Sequence, residues 1–285
     1  MNTTIGNVPL ITLNDGNHIP QLGFGVFKIP PQETAEAVRA ALEIGYRHID
    51  TAQGYGNERE VAQGIRDAGL DRSEVFVTSK LGNSAHRPDD ARRAFGQTLE
   101  RLGSDYVDLF LIHWPLPTCY DGDFVSTWTT LEDFKADGRA RSIGVSNFQI
   151  HHLQELARET ATTPAVNQIE AHPYFTNDTV RAYNTEHDIV TEAWSPIARG
   201  TVLREPTVLR VARAAGVHPA QVVLRWHIER GDVVFPKSVN PARMRENFEI
   251  FDFEITDEEL QALTELDRGA DGRTGPDPDT FDRIG

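Results

Sequence analysis

A closed α/β barrel of eight parallel strands, (β/α)8, is the fold this sequence predicts, and three observations carry it. Short β-rich runs alternate with longer segments of helical spacing, and such alternation builds a parallel sheet because each crossover needs a helix. Eight runs of this kind occur, the number that closes a parallel sheet on itself. The length of 285 residues lies near the ~250 typical of one such barrel. The open, doubly wound alternative would place GxGxxG between its first strand and helix. Gly23-Phe24-Gly25 and Gly54-Tyr55-Gly56 are near misses without a third glycine opening a helix.

Taken in order, Leu10–Leu13 and His18–Gln21 flank Asn14-Asp15-Gly16 and read as a small N-terminal β-hairpin. The first barrel strand is expected at Gln21–Val26, followed by a helix near 33–45, and the second at Tyr46–Asp50, followed by a helix near 57–68. Val75–Lys80 leads to a helix at 88–102, whose Pro88 and Asp89 suit a first turn where a missing N–H costs nothing. Val107–His113 precedes a helix at 125–137. Ala140–Val145 precedes one at 148–159, with Ser146 and Asn147 as natural cap residues. Ala165–Ile169 leads to 177–187, and Ile189–Ala193 leads to helices at 206–215 and 219–230. Val233–Pro236 closes the series, with extra C-terminal helices at Ala242–Phe248 and Asp257–Leu266. The tail from Asp267, rich in Gly, Pro and Asp, reads as loop. Nothing divides the chain, so the expectation is one TIM-barrel domain over residues 1–285.

Composition narrows the function. The 43 acidic residues outnumber 28 basic ones for a net charge of −15, which argues against nucleic acid and anionic lipid as partners. Cys119 is the single cysteine, so neither a disulfide framework nor a multi-cysteine zinc site is expected, and a reducing compartment fits. Met1–Leu10 has no signal-peptide pattern and no window approaches the ~20 apolar residues of a membrane span. The expectation is a cytoplasmic monomer acting on a small molecule. No HExxH occurs, and His151 and His152 diverge by about 100° on a helix, which reads as surface and gives no metal site. Ser195 has no GxSxG elbow, so a hydrolase is disfavoured.

In a parallel barrel, chemistry lies where the strands stop. The second strand ends in Asp50, with Tyr55 in a glycine-flanked loop beyond it; the third ends in Lys80 and the fourth in His113. A phenol is a poor acid at neutrality, and an adjacent ammonium lowers its pKa. A carboxylate in turn holds the ammonium charged. Asp50, Lys80 and Tyr55 thus suggest a relay with Tyr55 as general acid, while neutral His113 orients a carbonyl. Ser146-Asn147, Gln168, Trp194-Ser195 and Lys237-Ser238 end the later strands.

These segments resemble the aldo-keto reductase family. GYRHIDTA (45–52) running into QGYGNEREV, VFVTSKL around Lys80 and YVDLFLIHWP around His113 are similar to family segments. ARSIGVSNF, AVNQIEAHPY, TEAWSP and VVFPKSVNPARMREN follow in the family's order, so the resemblance runs nearly end to end. Closest in pattern are bacterial members such as the 2,5-diketo-gluconate reductases. The resemblance implies reduction of aldehyde or ketone carbonyls with NADPH, with Asp50, Tyr55, Lys80 and His113 as the catalytic tetrad. It further implies that Ser146, Asn147 and Gln168 hold the nicotinamide carboxamide, Trp194 stacks on its ring and Ser195 contacts the pyrophosphate. Lys237, Ser238, Val239 and Arg243 fall on the 2′-phosphate site, with Glu246 and Asn247 near the adenine. Phe27 and Trp114 fall on substrate-pocket walls. Lys and Arg also suit a dianionic phosphate on physical grounds. Gly82 stands where bacterial relatives commonly carry Trp, which should widen the pocket. The alternative reading is a nicotinamide-binding regulatory or scaffold protein with vestigial reductase activity.

Overall fold

In the computed structural model, which describes residues 4–284, eight parallel strands follow one another around a barrel in chain order. They are β4 (Phe24–Gly25), β5 (His48–Asp50), β6 (Phe76–Leu81), β7 (Val107–Ile112), β8 (Ala140–Ser146), β9 (Val166–Glu170), β10 (Val190–Trp194) and β11 (Val233–Val234). A separate antiparallel sheet precedes them, made of β1 (Thr4–Ile5), β2 (Val8–Thr12) and β3 (His18–Pro20). The expected hairpin is therefore β2–β3, with one further strand added. Residues 1–3 and 285 of the expected 1–285 unit lie outside the described residues.

The first and last barrel strands are shorter than expected because their pairing continues through irregular backbone. Leu22 bridges Val234 in parallel, Gly23 N–H donates to Val234 O at 2.7 Å, and Val234 N–H donates to Gln21 O at 3.0 Å. These bonds close the barrel. Gly25 is required at that seam, since a Cβ there would stand 2.6 Å from Phe235 O. The central strand β7, VDLFLI, is buried at every position, as expected of a parallel strand covered on both faces.

Around the barrel lie α1 (Pro31–Ile44), α2 (Glu58–Asp67), α3 (Pro88–Leu102), α4 (Val125–Ala136), α5 (Ile150–Glu159), α6 (Asp178–Glu186), α7 (Pro206–Ala215) and α8 (Pro219–Glu229). After β11 come α9 (Pro241–Phe248) and α10 (Asp257–Thr264). In α1 the buried residues Thr34, Ala37, Val38, Ala41 and Leu42 form the i, i+3, i+4, i+7, i+8 stripe that packs a helix onto a sheet. Pro88 opens α3 as expected.

Two local expectations fail. Ser146 and Asn147 do not cap α5: Gln149 flanks that helix, and its N–H donates to His152 Nδ1 at 3.1 Å. Ser146 instead ends β8 with its Oγ donating to Gln168 O at 2.9 Å, and Asn147 takes the left-handed conformation with φ 65°. Nor is the His151–His152 pair all surface. His151 is exposed, but His152 is 1% exposed, against Phe124 and Phe148. The rings of the two histidines lie 4.0 Å apart, and both Nε2 atoms approach Asp279 Oδ1, at 3.4 and 3.7 Å. His152 Nδ1 accepts the Gln149 N–H, while its Nε2, 3.7 Å from the carboxylate oxygen, is buried without a hydrogen-bond partner among the described residues.

The turn between β2 and β3 plugs one end of the barrel. Leu13 and Ile19 pack with Leu109, Leu111, Ala165, Val166 and Val233. Asn14 Nδ2 donates to Pro164 O and Asn17 Nδ2 to Arg141 O, each at 3.0 Å. Only the carboxyl ends of the strands remain as a mouth. Across it runs the tail, irregular after a short 3-10 turn at Gly269–Gly272.

Candidate active site

The strand ends bring the four expected side chains together. Lys80 on β6 is fully buried, and its Nζ lies 2.8 Å from both carboxylate oxygens of Asp50 at the end of β5. The same ammonium donates to Thr51 O at 2.9 Å and to Tyr55 Oη at 3.3 Å. Tyr55 comes from the short 3-10 turn Gln53–Tyr55. The ring of His113, just past β7, lies edge-on to Tyr55 at 5.8 Å between centroids.

The Tyr55 loop is fixed at both ends. Asn57 Nδ2 donates to Val26 O at 3.1 Å while its Oδ1 accepts from Thr51 Oγ1 at 2.9 Å. Gln53 Nε2 donates to Ala94 O and Thr98 Oγ1, and Gly82 N–H donates to Gln53 Oε1 at 2.7 Å. Gly82 thus ties the β6–α3 connection to the phenol-bearing turn.

Burial governs the protonation states. It pushes the Tyr55 pKa up, and the lowering expected from Lys80 is present but smaller; the phenol keeps its proton at neutral pH. Burial would lower Lys80, but the charge of Asp50 and the hydrogen bond to it hold it above the ordinary lysine value. Burial pushes Asp50 upward against Lys80 and Gln168. Yet Asp50 Oδ1 accepts from Lys80, and Oδ2 from both Lys80 and Gln168 Nε2, and donors of this kind favour the carboxylate anion. Burial, then the Lys80 charge, lowers His113 to about 3, which makes the imidazole neutral.

The residues expected around a nicotinamide join this cluster by hydrogen bonds. Gln168 Nε2 donates to Asp50 Oδ2 at 2.9 Å. Asn147 Nδ2 donates to His113 O and to Ser146 Oγ, each at 3.0 Å, and Asn147 Oδ1 accepts from Trp194 Nε1 at 2.8 Å. Ser195 follows with a positive φ of 52°. A second group lies on the β11–α9 connection, joined to the first by no hydrogen bond or ion pair among the described residues. There Lys237 and Arg243 are exposed and make no ion pair within 4 Å among the described residues, in a protein of net charge −15. Val239 is 46% exposed, Ser238 Oγ donates to Asn240 O, and Asn240 Oδ1 caps α9. Glu246 Oε1 lies 3.5 Å from His218 Nε2, and Asn247 is half-buried. A pair of unspent cations beside a capped helix start suits a phosphate.

The expected pocket walls differ from one another. Phe27 is 54% exposed, its ring 4.9 Å from that of Tyr55. Trp114 is buried, with the Phe281 ring of the tail packed against it at 4.2 Å and tilted by 36°. The sequence reading did not anticipate this docking of the tail. Buried Glu170 accepts from Thr274 N–H, Thr274 Oγ1 and Gly275 N–H, and pairs with His172. Gly275 is pressed so close to Trp194 that a Cβ would stand 2.3 Å from Cη2. Asn83 Nδ2 donates to Arg283 O at 2.8 Å. Only an acid at the end of a strand, Glu170, hinted at this in the sequence. A second missed residue, Glu192 on β10, accepts from Gln168 Nε2 at 2.8 Å; its signal was alternation, which puts it on the same strand face as Trp194.

The family model described as Aldo/keto reductase family matches residues 21–268. The methylglyoxal reductase DkgA of Yersinia pestis is 49% identical, covering 96% of this chain and 97% of its own length. The morphine 6-dehydrogenase of Pseudomonas putida is 46% identical, covering 97% of each. The crystal structure of a Gox0644 mutant in complex with NADPH matches with a TM-score of 0.92 and 42% identity, over 96% of this chain and 98% of that one. Among the described residues, no helix is long and apolar enough to cross a membrane.

Proposed function

This chain belongs to the aldo/keto reductase family, and we propose that it is an NADPH-dependent oxidoreductase that reduces an aldehyde or ketone carbonyl to the alcohol, with Tyr55 as general acid. The observation that carries the reading is a fully buried ammonium held 2.8 Å from both Asp50 oxygens and 3.3 Å from the Tyr55 hydroxyl, at the mouth of a barrel plugged at its other end. A buried ion pair is expensive to desolvate and is weak evidence for stability alone, so its position against a phenol favours chemistry.

The cofactor fits this chain's own donors, as the complex of the Gox0644 mutant with NADPH suggests. Ser146, Asn147 and Gln168 would hold its carboxamide, Trp194 its ring and Ser195 its pyrophosphate. Lys237, Ser238, Val239 and Arg243 would hold the 2′-phosphate, with Glu246 and Asn247 at the adenine. When bound, NADPH supplies a hydride to the carbonyl carbon. Tyr55 delivers the proton to the carbonyl oxygen as charge develops there. Its raised pKa guarantees that the proton is present, and the phenolate left behind faces Lys80, which Asp50 keeps charged. Neutral His113 donates a ring N–H to the same oxygen and fixes its direction. Phe27 and Trp114, the latter backed by Phe281, wall the pocket and exclude water.

Tyr55→Phe tests the reading. Carbonyl reduction, followed by loss of reduced-nicotinamide absorbance across an aldehyde and ketone panel, is expected to fall by ~10²–10⁴-fold, with NADPH affinity nearly unchanged by fluorescence titration. Full activity in that variant would defeat the assignment.

A further inference from the structure

Below the mouth, the barrel interior holds one more acid than the proposed relay needs. Glu192 lies in register with Gln168 on the neighbouring strand, fully buried. Its Oε2 accepts from Gln168 Nε2 at 2.8 Å, and the same nitrogen donates to Asp50 Oδ2 at 2.9 Å. One amide therefore bridges two carboxyl groups. Glu192 Oε1 is buried without a hydrogen-bond partner among the described residues. The His48 ring faces it, with Nε2 3.9 Å from Oε1 and 3.0 Å from Thr78 Oγ1.

The titratable and charged groups that face Glu192 are Asp50 and His48 on β5 and Lys80 on β6; Gln168 on β9 is the neutral bridge. Burial, with a smaller contribution from the Lys80 charge, lowers the His48 pKa to about 3, so that ring is neutral. A single ammonium then serves two acids, and both Asp50 oxygens are already bonded to it. An anion on Glu192 would have one unsolvated oxygen and a carboxylate for a neighbour, which is the arrangement that keeps one of two acids protonated.

Resting on the reading of Tyr55 as proton donor, we propose that Glu192 is a positioning residue of that site: it works as the neutral acid, anchoring the Gln168 amide, and its ionisation at alkaline pH raises the barrier to proton delivery by Tyr55. As the neutral acid it gives Gln168 a second acceptor, which turns the amide nitrogen inward and leaves the amide oxygen for the mouth. As the anion it adds negative charge to the cluster and makes a phenolate on Tyr55 costlier. Burial, then the Asp50 charge, raises Glu192 to about 8, so the change falls in an accessible range. Glu192→Gln has the shape and hydrogen bonding of the neutral acid and cannot ionise.

The test uses the full chain without substrate. In wild type labelled with carbon-13 at the glutamate carboxyl, one resonance is expected to titrate near pH 8, and Glu192→Gln is expected to remove it. Tyr55 ionisation is read by tyrosinate absorbance, as the difference between each protein and its Tyr55→Phe counterpart. In Glu192→Gln it is expected to shift down by on the order of one pH unit. The alkaline limb of kcat that Glu192 sets near pH 8 in wild type is expected to be lost in the variant, leaving only the limb set by Tyr55 itself. A wild-type chain in which every glutamate titrates in the ordinary range overturns the proposal whether or not the variant folds. So does a folded variant in which Tyr55 titrates as in wild type. Because both titrations precede turnover, a protein that passes them yet reduces no carbonyl refutes the proposed activity and not the proton inventory.

Discussion

Lys80→Met removes the cation on which the proposed proton transfer depends and keeps much of its volume. At the 3.3 Å separation from Tyr55 Oη and an effective dielectric of ~20, the ammonium–phenolate attraction is about 5 kcal/mol at most, equivalent to between three and four pH units at ~1.36 kcal/mol each. Tyr55 is half-open to the mouth, so water reduces that figure. With about half of it expressed where the proton is part-transferred, kcat is expected to fall by up to ~10²-fold. Asp50, 1% exposed, then loses its counter-ion and must take up a proton. Breaking a buried pair from one side costs ~3–5 kcal/mol, so the urea midpoint is expected to drop at neutral pH and less in acid, where protonation relieves the stranded carboxylate. Single-turnover rates, NADPH titration and urea melts at two pH values make the assay. A Lys80→Met enzyme within about tenfold of wild-type kcat would refute the role given to the ammonium.

The remaining expectations concern the proposed 2′-phosphate site, the acid limb of stability and the tail. Arg243→Ala should weaken NADPH binding by roughly tenfold or more, as loss of a charge-assisted contact does, and NADH binding far less; equal losses measured by fluorescence would remove Arg243 from the 2′-phosphate site. His48, His86 and His152 are all buried, and burial holds their pKa values at about 3, 4 and 4. The unfolded chain takes up those protons first, so stability is full above ~6.5 and falls as pH drops from there toward 4, by up to ~4 kcal/mol per pH unit for the three together. Chemical melts showing a flat profile over that window would contradict it. Gly275→Ala would drive a methyl into Trp194 and toward Glu170. It should cost ~1–3 kcal/mol, change tryptophan fluorescence and raise the substrate KM, and an unaltered emission spectrum would show that the tail does not press on the indole.

Much of this architecture could be read directly, and the reasons are specific. Strands such as VDLFLI are buried on both sides and so spell nearly continuous apolar runs, and the polar residues that close them, Asp50, Lys80 and His113, stand out against that background. Local capping preference misled at Ser146-Asn147, because those side chains serve the barrel: Ser146 reaches Gln168 O, and Asn147 bridges His113 O and Trp194. A short polar side chain can satisfy a helix end or a distant backbone group, and spacing alone does not choose between them. The tail carries no periodicity, so the packing of Phe281 on Trp114 leaves no local trace, and the clamp at Glu170 shows only as an acid at a strand end. Glu192 was legible by alternation, two residues before Trp194, but attention to strand ends passes over a charge placed inside the strand.

The two layers of the barrel interior make the case that its polar one serves chemistry. Near the plug, Leu109, Leu111, Val166 and Val233 pack as an ordinary apolar core with Leu13 and Ile19. Toward the mouth the same alternation presents His48, Asp50, Lys80, Gln168 and Glu192, all buried. Replacing a buried ionic set by well-packed apolar residues is often neutral or stabilising, and the lower layer shows that this barrel accommodates such residues at equivalent positions on adjacent strands. Stability alone therefore gives no reason for the upper layer. What the polar layer does provide is a charge inventory balanced to a single proton: one fixed anion, one cation tied to it, one neutral acid on a shared amide, and a phenol at the edge of solvent. Moving the phenolic proton changes that inventory by one charge, and the ammonium 3.3 Å from Tyr55 Oη is the group placed to absorb it.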